Sequence, residues 1–402
     1  MLSFGFPTET ITEGKVKVVV PKLSAYMKKP SDYAPSKAPV FYNPVMELNR
    51  DFAVLALQAQ QKLLGREVSV SEPLTGCGLR GTRFAVEVEG ARKVVVNDIK
   101  PEAAEVAGFN AKLNGVEDRV EVANDDANLF LSRHAAPRER FDYVDVDPFG
   151  SPVPYMDSAL RSLRNGGLLA LTATDMAPLC GVHPRACLRK YGGVPLRTEY
   201  CHELAVRLVS GCLTMMAAKH EIGTEVVFSY SIDHYVRVYA VVGYGAKVAD
   251  KSVQQMGYIL HCFSCFHRET SSGITAPLKH ACPACGAKLS VAGPLWLGRI
   301  ADKSFCSLME KEAKERSFRQ TRKLQKILSL VRNEAEAQVT FYAVDKICDK
   351  LNLPVPPQKK VLEKLREKGF QAVLTHFKSR GFRTDTPADT IKEVVTDLAT
   401  NR

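Results

Sequence analysis

Phe141-Asp-Tyr-Val-Asp-Val-Asp147-Pro-Phe149-Gly150 reads as an apolar strand running into an acid, a proline, an aromatic and a glycine. In an open α/β sheet, ligands bind beyond the carboxyl ends of the strands. Asp147 placed there can accept from a planar amino group. Phe149 can lie flat on the heterocycle that bears it, as a base taken out of its stack requires. The plainer reading is a strand closed by a Pro-Gly turn, and the flanking sequence decides between the two.

Towards the N-terminus, strand and helix patterns alternate from Arg66 onward. Glu67-Val-Ser-Val-Ser-Glu-Pro-Leu leads into Thr75-Gly-Cys-Gly-Leu-Arg80-Gly and then a helix through Glu87. Glycines in that position let the backbone approach a ligand and turn tightly into a helix. A second strand, Lys93 to Asp98, ends in an acid 20 residues after Gly78, where a carboxylate can accept from both hydroxyls of a ribose. A helix from Glu102 to Asn114 follows, with Gly115 as its C-cap. The third strand, Arg119 to Ala123, ends in Asn124-Asp125-Asp126-Ala127, whose polar groups could meet an adenine amino group. Two nucleoside ligands suit this plan, a dinucleotide or S-adenosylmethionine. The glycines of Gly76-Cys-Gly-Leu-Arg80-Gly81 do not make a clean phosphate-cradling helix start, because Arg80 sits inside the loop, and Asp-Pro-Phe-Gly follows strand four, as in amino-group methyltransferases. Methyl transfer is therefore favoured over hydride transfer.

Towards the C-terminus, a fifth strand (Gly167 to Asp175) runs into Met176-Ala-Pro-Leu-Cys-Gly181. A loop from His183 to Thr198 carries Arg185, Arg189, Lys190, Tyr191 and Arg197, and a helix spans Glu199 to His220 with apolar residues at helical spacing. A strand pair from Glu225 to Val242 completes a doubly wound seven-stranded α/β sheet of methyltransferase type. Ahead of the sheet, Met1 to Pro39 reads as a β-hairpin or arm, with Thr12 to Val20 as a strand followed by a Lys- and Pro-rich loop. Phe41 and Tyr42 precede a helix started by Asn43 or Pro44 and carrying Arg50.

The charge divides sharply. Up to Gly245 there are 28 Lys/Arg against 28 Asp/Glu, and from Ala246 onward 27 against 16, so the whole net charge of +11 lies in the last 157 residues. A neutral half followed by a basic half suggests a catalytic module (1–245) and a polyanion-binding module (246–402); the plainer alternative is a solvated, Lys-rich helical surface. In the basic half, Cys262-Phe-Ser-Cys265 and Cys282-Pro-Ala-Cys285 are separated by 16 residues, the pattern of a four-thiolate structural zinc ribbon over 258–290. The remaining cysteines (77, 180, 187, 201, 212, 306 and 348) have no paired spacing and read as small buried hydrophobes. Arg316, Arg319, Arg322 and Lys323 gather on a charged helix, a candidate phosphate-binding cluster. Asp345 to Phe370 reads as helix–turn–helix, with Val373 to Phe377 and Gly381 to Thr384 as a wing. No apolar run can span a bilayer and no signal peptide is visible, which points to a reducing cytoplasm.

Four stretches carry a resemblance over nearly the full length: Phe41-Tyr-Asn-Pro-Val-Met-Glu-Leu-Asn-Arg50-Asp, Thr75-Gly-Cys-Gly-Leu-Arg80-Gly, Asp147-Pro-Phe-Gly-Ser-Pro and Thr174-Asp-Met-Ala-Pro-Leu-Cys-Gly. In this order they resemble the tRNA (guanine-26-N2)-dimethyltransferases of archaeal and bacterial type. The resemblance implies S-adenosylmethionine as methyl donor, tRNA as partner, and methylation of the guanine 2-amino group, in some relatives at nucleotide 27 as well. It implies cofactor contacts at Arg50, Arg80, Asp98, Asp125, Asp126 and Ala127, and catalysis by Asp147. Phe41 and Phe149 would sandwich the base, with the Pro148 carbonyl as second acceptor. Neither a membrane nor an obligate protein partner is implied. An adenine-N6 methyltransferase would use a similar motif, but Phe-Gly replaces Pro-Tyr after Pro148. A non-catalytic RNA-binding module would leave Asp98 and Asp147 without a task.

Overall fold

A computed structural model describes residues 4–27 and 35–400 of the 402-residue chain. Residues 28–34 of the Lys- and Pro-rich loop expected after the first strand fall outside them. The single strand expected over Thr12–Val20 is two: β1 (Thr8–Glu13) and β2 (Val16–Pro21) pair antiparallel about a turn at Gly14-Lys15.

Asn43 caps a short 3-10 turn by accepting from the Val45 N–H, and α1 (Glu47–Leu64) follows. The chain then alternates: β3 (Val68–Glu72), α2 (Leu79–Glu87), β4 (Ala91–Asn97), α3 (Pro101–Leu113), β5 (Val120–Ala123), α4 (Ala127–Arg133), β6 (Phe141–Val146), α5 (Val153–Arg161) and β7 (Leu163–Ala173). The segment expected to be a basic loop contains α6 (Met176–Leu179) and α7 (Pro184–Tyr191); α8 (Cys201–Ala218), β8 (Ile222–Ile232) and β9 (Tyr235–Tyr244) follow. The seven strands take the order β5-β4-β3-β6-β7-β9-β8, with β9 antiparallel to both neighbours and the remaining pairs parallel. Strands of a parallel sheet are covered on both faces and read as unbroken apolar runs, as Val94–Val96 and Leu168–Leu171 do. The order reverses between β3 and β6, so the loops after these two strands border the crevice where open sheets bind ligands.

The second half continues with α9 (Ala246–Val253), β10 (Met256–His261), β11 (Arg268–Ser272), β12 (Ser290–Trp296), α10 (Lys303–Lys314) and α11 (Thr321–Glu334). Phe305, Met309, Leu324 and Leu328 join the core formed by α1 and one sheet face. Ile259, Leu295 and Trp296 join the core under α8 on the other. The division expected at 245/246 is thus one of charge, while the packing runs across it. The last segment has a core of its own: β13 (Tyr342–Ala343), α12 (Val344–Leu351), α13 (Gln358–Glu367), β14 (Ala372–Leu374), β15 (Gly381–Thr384) and α14 (Ala388–Thr400) enclose Ile347, Leu365, Ile391 and Val394. This is the expected winged helix with one further helix. Arg383 on β15 ties it to the rest by bonds to Glu203 on α8 and Glu334 on α11. Among the described residues no helix is long and apolar enough to cross a membrane.

Candidate active site

The carboxyl ends of β3, β4, β5 and β6 hold their loops in mutual contact. Buried Asn97, at the end of β4, is the staple: its Nδ2 donates to the carbonyls of Pro73 and Asp125, each at 3.0 Å, and its Oδ1 accepts from the Asp125 N–H. The glycine loop is folded as tightly as its composition allows. Gly76 has φ +56° and an added Cβ would stand 2.8 Å from the Phe41 carbonyl oxygen, so the Phe41 loop lies directly on the glycine loop. Asp98 closes the same corner, accepting from the Gly76 N–H at 2.9 Å and the Lys100 N–H at 3.0 Å. In the loop after β5, Asp126 caps α4 by accepting from Asn128 and Leu129, Asp125 pairs with Arg133, and Ala127 is buried.

Asp147 stands just past β6 with its carboxylate partly exposed, and Oδ2 is held by Nη2 of Arg80. Among the described residues no hydrogen bond engages its Oδ1. Arg80 is itself buried. Its Nη1 donates to Asn49 at 2.9 Å and to Asp145 at 3.2 Å, and its Nε lies 3.3 Å from Glu72. Asp145 is wholly buried and also accepts from Arg237 of β9 and from the Tyr143 hydroxyl at 2.7 Å. Burial pushes the Asp145 carboxyl up, but Arg237 and Arg80 outweigh it and hold it below the ordinary range. Glu72 has less help, and burial pushes it up to about 7 despite Arg80. Arg80, expected as a cofactor contact, therefore lies beneath Asp147 as the hub of a buried ion cluster. Asp145, Arg237, Glu72 and Asn97 were not anticipated from the sequence.

Phe149 is 65% exposed and meets Phe41 edge to face, ring centroids 4.6 Å apart and planes at 82°. The two rings thus meet at the loop that carries Asp147 and Pro148. A flat base between them requires one ring to turn. Arg50, the other arginine expected at the cofactor, is buried and donates to Glu13 of the N-terminal hairpin at 2.6 and 2.5 Å and to the Asn43 carbonyl at 3.2 Å. Glu13, unanticipated, thus links the hairpin to the helix that carries Arg50.

The four cysteines converge at the open end of β10 and β12. Their sulfurs all lie within 4.8 Å of one another, with Cys262–Cys285 at 3.5 Å and Cys265–Cys282 at 3.6 Å. Zinc–thiolate bonds of about 2.3 Å in a tetrahedron give nearly this sulfur spacing, so the donor set fits the ion. Each knuckle closes alike: Phe266 N–H donates to the Cys262 carbonyl and Gly286 N–H to that of Cys282. The arginine cluster is divided. Arg316 bonds Glu312, Gln58 and the Glu87 carbonyl, bridging the two halves; Arg319, 83% exposed, and exposed Lys323 make looser pairs with Glu47 at 3.7 Å and Asp233 at 3.9 Å, and Arg322 faces solvent.

A profile of the N2,N2-dimethylguanosine tRNA methyltransferases matches residues 14–396. The chain is 43% identical over 390 residues to the tRNA (guanine(26)-N(2))-dimethyltransferase of Methanothermobacter thermautotrophicus, covering 97% of this chain and 99% of that one. It is 38% identical over 392 residues to the tRNA (guanine(26)-N(2)/guanine(27)-N(2))-dimethyltransferase of Aquifex aeolicus, covering 97% and 96%. The solved structure of Trm1 from Pyrococcus horikoshii with S-adenosyl-L-methionine superposes with a TM-score of 0.84 at 34% identity, over 96% of this chain and 99% of that one.

Proposed function

Because the chain belongs to the N2,N2-dimethylguanosine tRNA methyltransferase family, we propose the following reading of its site. The enzyme transfers methyl groups from S-adenosylmethionine to the 2-amino group of guanine 26 of tRNA, giving N2,N2-dimethylguanosine. The observation that carries the assignment of roles is the placement of Asp147: partly exposed, beyond β6, with Oδ2 clamped by Arg80 and the paired Phe41 and Phe149 rings on the adjoining loops.

S-adenosylmethionine supplies an electrophilic methyl on a sulfonium. Asp98, beside the glycine loop, is placed for the ribose, and the Asp125–Ala127 turn for the adenine. Arg50 and Arg80 shape the floor of this pocket through their carboxylate partners. The guanine amino lone pair is delocalised into the ring, so the amine is a weak nucleophile. Asp147 Oδ1 and the Pro148 carbonyl accept its two N–H groups and favour a more tetrahedral nitrogen. Arg80 holds Asp147 oriented through its Oδ2. A carboxylate is base enough, because the methylated cationic nitrogen is far more acidic than a carboxylic acid and gives up its proton to Asp147 after transfer. The second methylation needs only one N–H acceptor, and Phe149, exposed on its outer side, leaves room for the first methyl.

The basic half supports tRNA binding through phosphates, and the four cysteines support a structural zinc ion. Incubation with labelled S-adenosylmethionine and a tRNA transcript, followed by nucleoside analysis, tests the reading. Label in dimethylguanosine that vanishes when guanine 26 is replaced by adenine supports it. Label in a nucleoside other than N2-methylguanosine or N2,N2-dimethylguanosine overturns the substrate, and label retained only at nucleotide 27 overturns the position.

A further inference from the structure

Cys180 and Cys201 have no paired spacing in the sequence, yet the fold brings them together with a third soft ligand. The sulfurs of Cys180 and Cys201 and a ring nitrogen of His202 lie within 4.8 Å of one another, and all three residues are half-buried. Cys180 caps the end of α6, and Cys201 and His202 open α8. The approach depends on one glycine. Gly181 has φ +87°, and a Cβ there would stand 2.9 Å from the Arg197 nitrogen and 3.0 Å from the Leu196 carbonyl carbon. No other residue lets the turn press this closely on the segment that leads into Cys201.

From this geometry we propose that Cys180, Cys201 and His202 form a second metal site, separate from the four-cysteine ribbon, for a thiophilic divalent ion of the zinc class. Two sulfurs and an imidazole are the donors such ions prefer, and the set contains no hard carboxylate oxygen. Three protein donors leave a tetrahedral ion one further position. The site borders the catalytic loop. Thr174 N–H donates to the Gly150 carbonyl and Gly150 N–H to the Thr174 hydroxyl, both at 2.8 Å, so the segment ending in Cys180 is bonded to the loop that carries Phe149. An ion joining Cys180 to α8 holds that segment against the core.

Cobalt(II) titration of the reduced, metal-free full-length chain tests the proposal, because thiolate-bound cobalt absorbs visibly and its bands differ between four-sulfur and mixed sulfur–nitrogen sites. Wild type should take up two equivalents with two distinct spectra. Cys180→Ser and His202→Asn should each take up one, with the four-sulfur spectrum. A Cys262→Ser/Cys265→Ser variant should keep the mixed spectrum alone. The wild-type stoichiometry does not depend on any variant folding. Saturation of wild type at one equivalent with a purely four-sulfur spectrum overturns the proposal. So does a second equivalent that survives both Cys180→Ser and His202→Asn. If the purified chain carries a Cys180–Cys201 disulfide and binds no second ion once reduced, the two thiols are a redox pair and the metal assignment fails.

Discussion

Asp145→Asn probes the ion cluster beneath the catalytic carboxylate. The substitution preserves shape but removes a charge that is wholly buried and touches two guanidinium groups and the Tyr143 hydroxyl. Arg80 and Arg237 then face a neutral amide in a site that excludes water. Removing one member of a buried pair costs about 3–5 kcal/mol, because the partner charge stays behind. Against a total stability of about 5–15 kcal/mol that loss is large. Arg237→Met leaves Asp145 with Arg80 alone and should cost a similar amount. Together the two changes replace a buried charge pair by neutral groups of comparable size, which should cost less than their sum by about 0.5–3 kcal/mol. Denaturant unfolding of the four proteins, followed by far-ultraviolet circular dichroism, measures that coupling. In the same set, turnover should fall in Asp145→Asn, because Asp145 helps to anchor the Arg80 that orients Asp147. If the two losses add to within about 0.3–0.5 kcal/mol, Asp145 and Arg237 do not act as a unit and the positioning argument fails.

Asp147→Ala should lower turnover by about 10²–10⁴-fold, the range of a positioned acid–base group, while the calorimetric dissociation constant for S-adenosylmethionine stays within about threefold; lost cofactor binding would move Asp147 into the cofactor pocket. Cys262→Ser should release the ribbon zinc, read by metal analysis, while the seven-stranded sheet stays folded, since thiolate–zinc bonds supply the folding energy of a small knuckle. Arg383 and His376 overcome burial and hold Glu334 at about 2, below its ordinary 4.5. A depressed carboxyl stabilises fully above its unfolded value, so this contribution should be lost as pH falls from about 4.5 towards 2, and Glu334→Gln should flatten the melting temperature against pH there; an unchanged profile would refute it. Neutralising exposed Arg319, Arg322 and Lys323 should reduce the slope of log tRNA affinity against log salt by up to about 0.9 per phosphate contact. Arg316→Met should leave that slope alone and lower the melting temperature, because Arg316 bonds across the two halves.

The parallel sheet was legible because each strand is an apolar run closed by turn chemistry, and the zinc knuckles because their ligands are local in sequence. The N-terminal segment reads as a hairpin or arm, but its turn at Gly14-Lys15 falls inside the stretch read as one strand, because a glycine and a lysine inside a run of valines look like tolerated interruptions. The shared cores were invisible for a different reason. Composition registers that charge changes at Ala246, but nothing local says that Phe305 and Met309 pack beside Phe52 of α1. The arginine cluster failed on the same ground. Arg316 and Arg319 are three residues apart, yet one is turned into Glu312 and Gln58 and the other into solvent.

The site shows the limit most clearly. Side chains alternate along a strand, so Tyr143 and Asp145 share one face of β6 and Asp147 continues the series just past its end. That much lies in the opening stretch. An acid on a buried face cannot remain ionised without a cation, so the burial of Asp145 demands a basic partner. Which residue supplies it could not be read. Arg80 is 65 residues upstream and Arg237 is 92 downstream, and only the strand order β3-β6-β7-β9 brings both to the same carboxylate. Motifs name the groups that meet a ligand, because those sit together on one loop. The groups that hold them are recruited by the fold from strands far apart in the chain, and their partners appear only when charges are matched across the sheet.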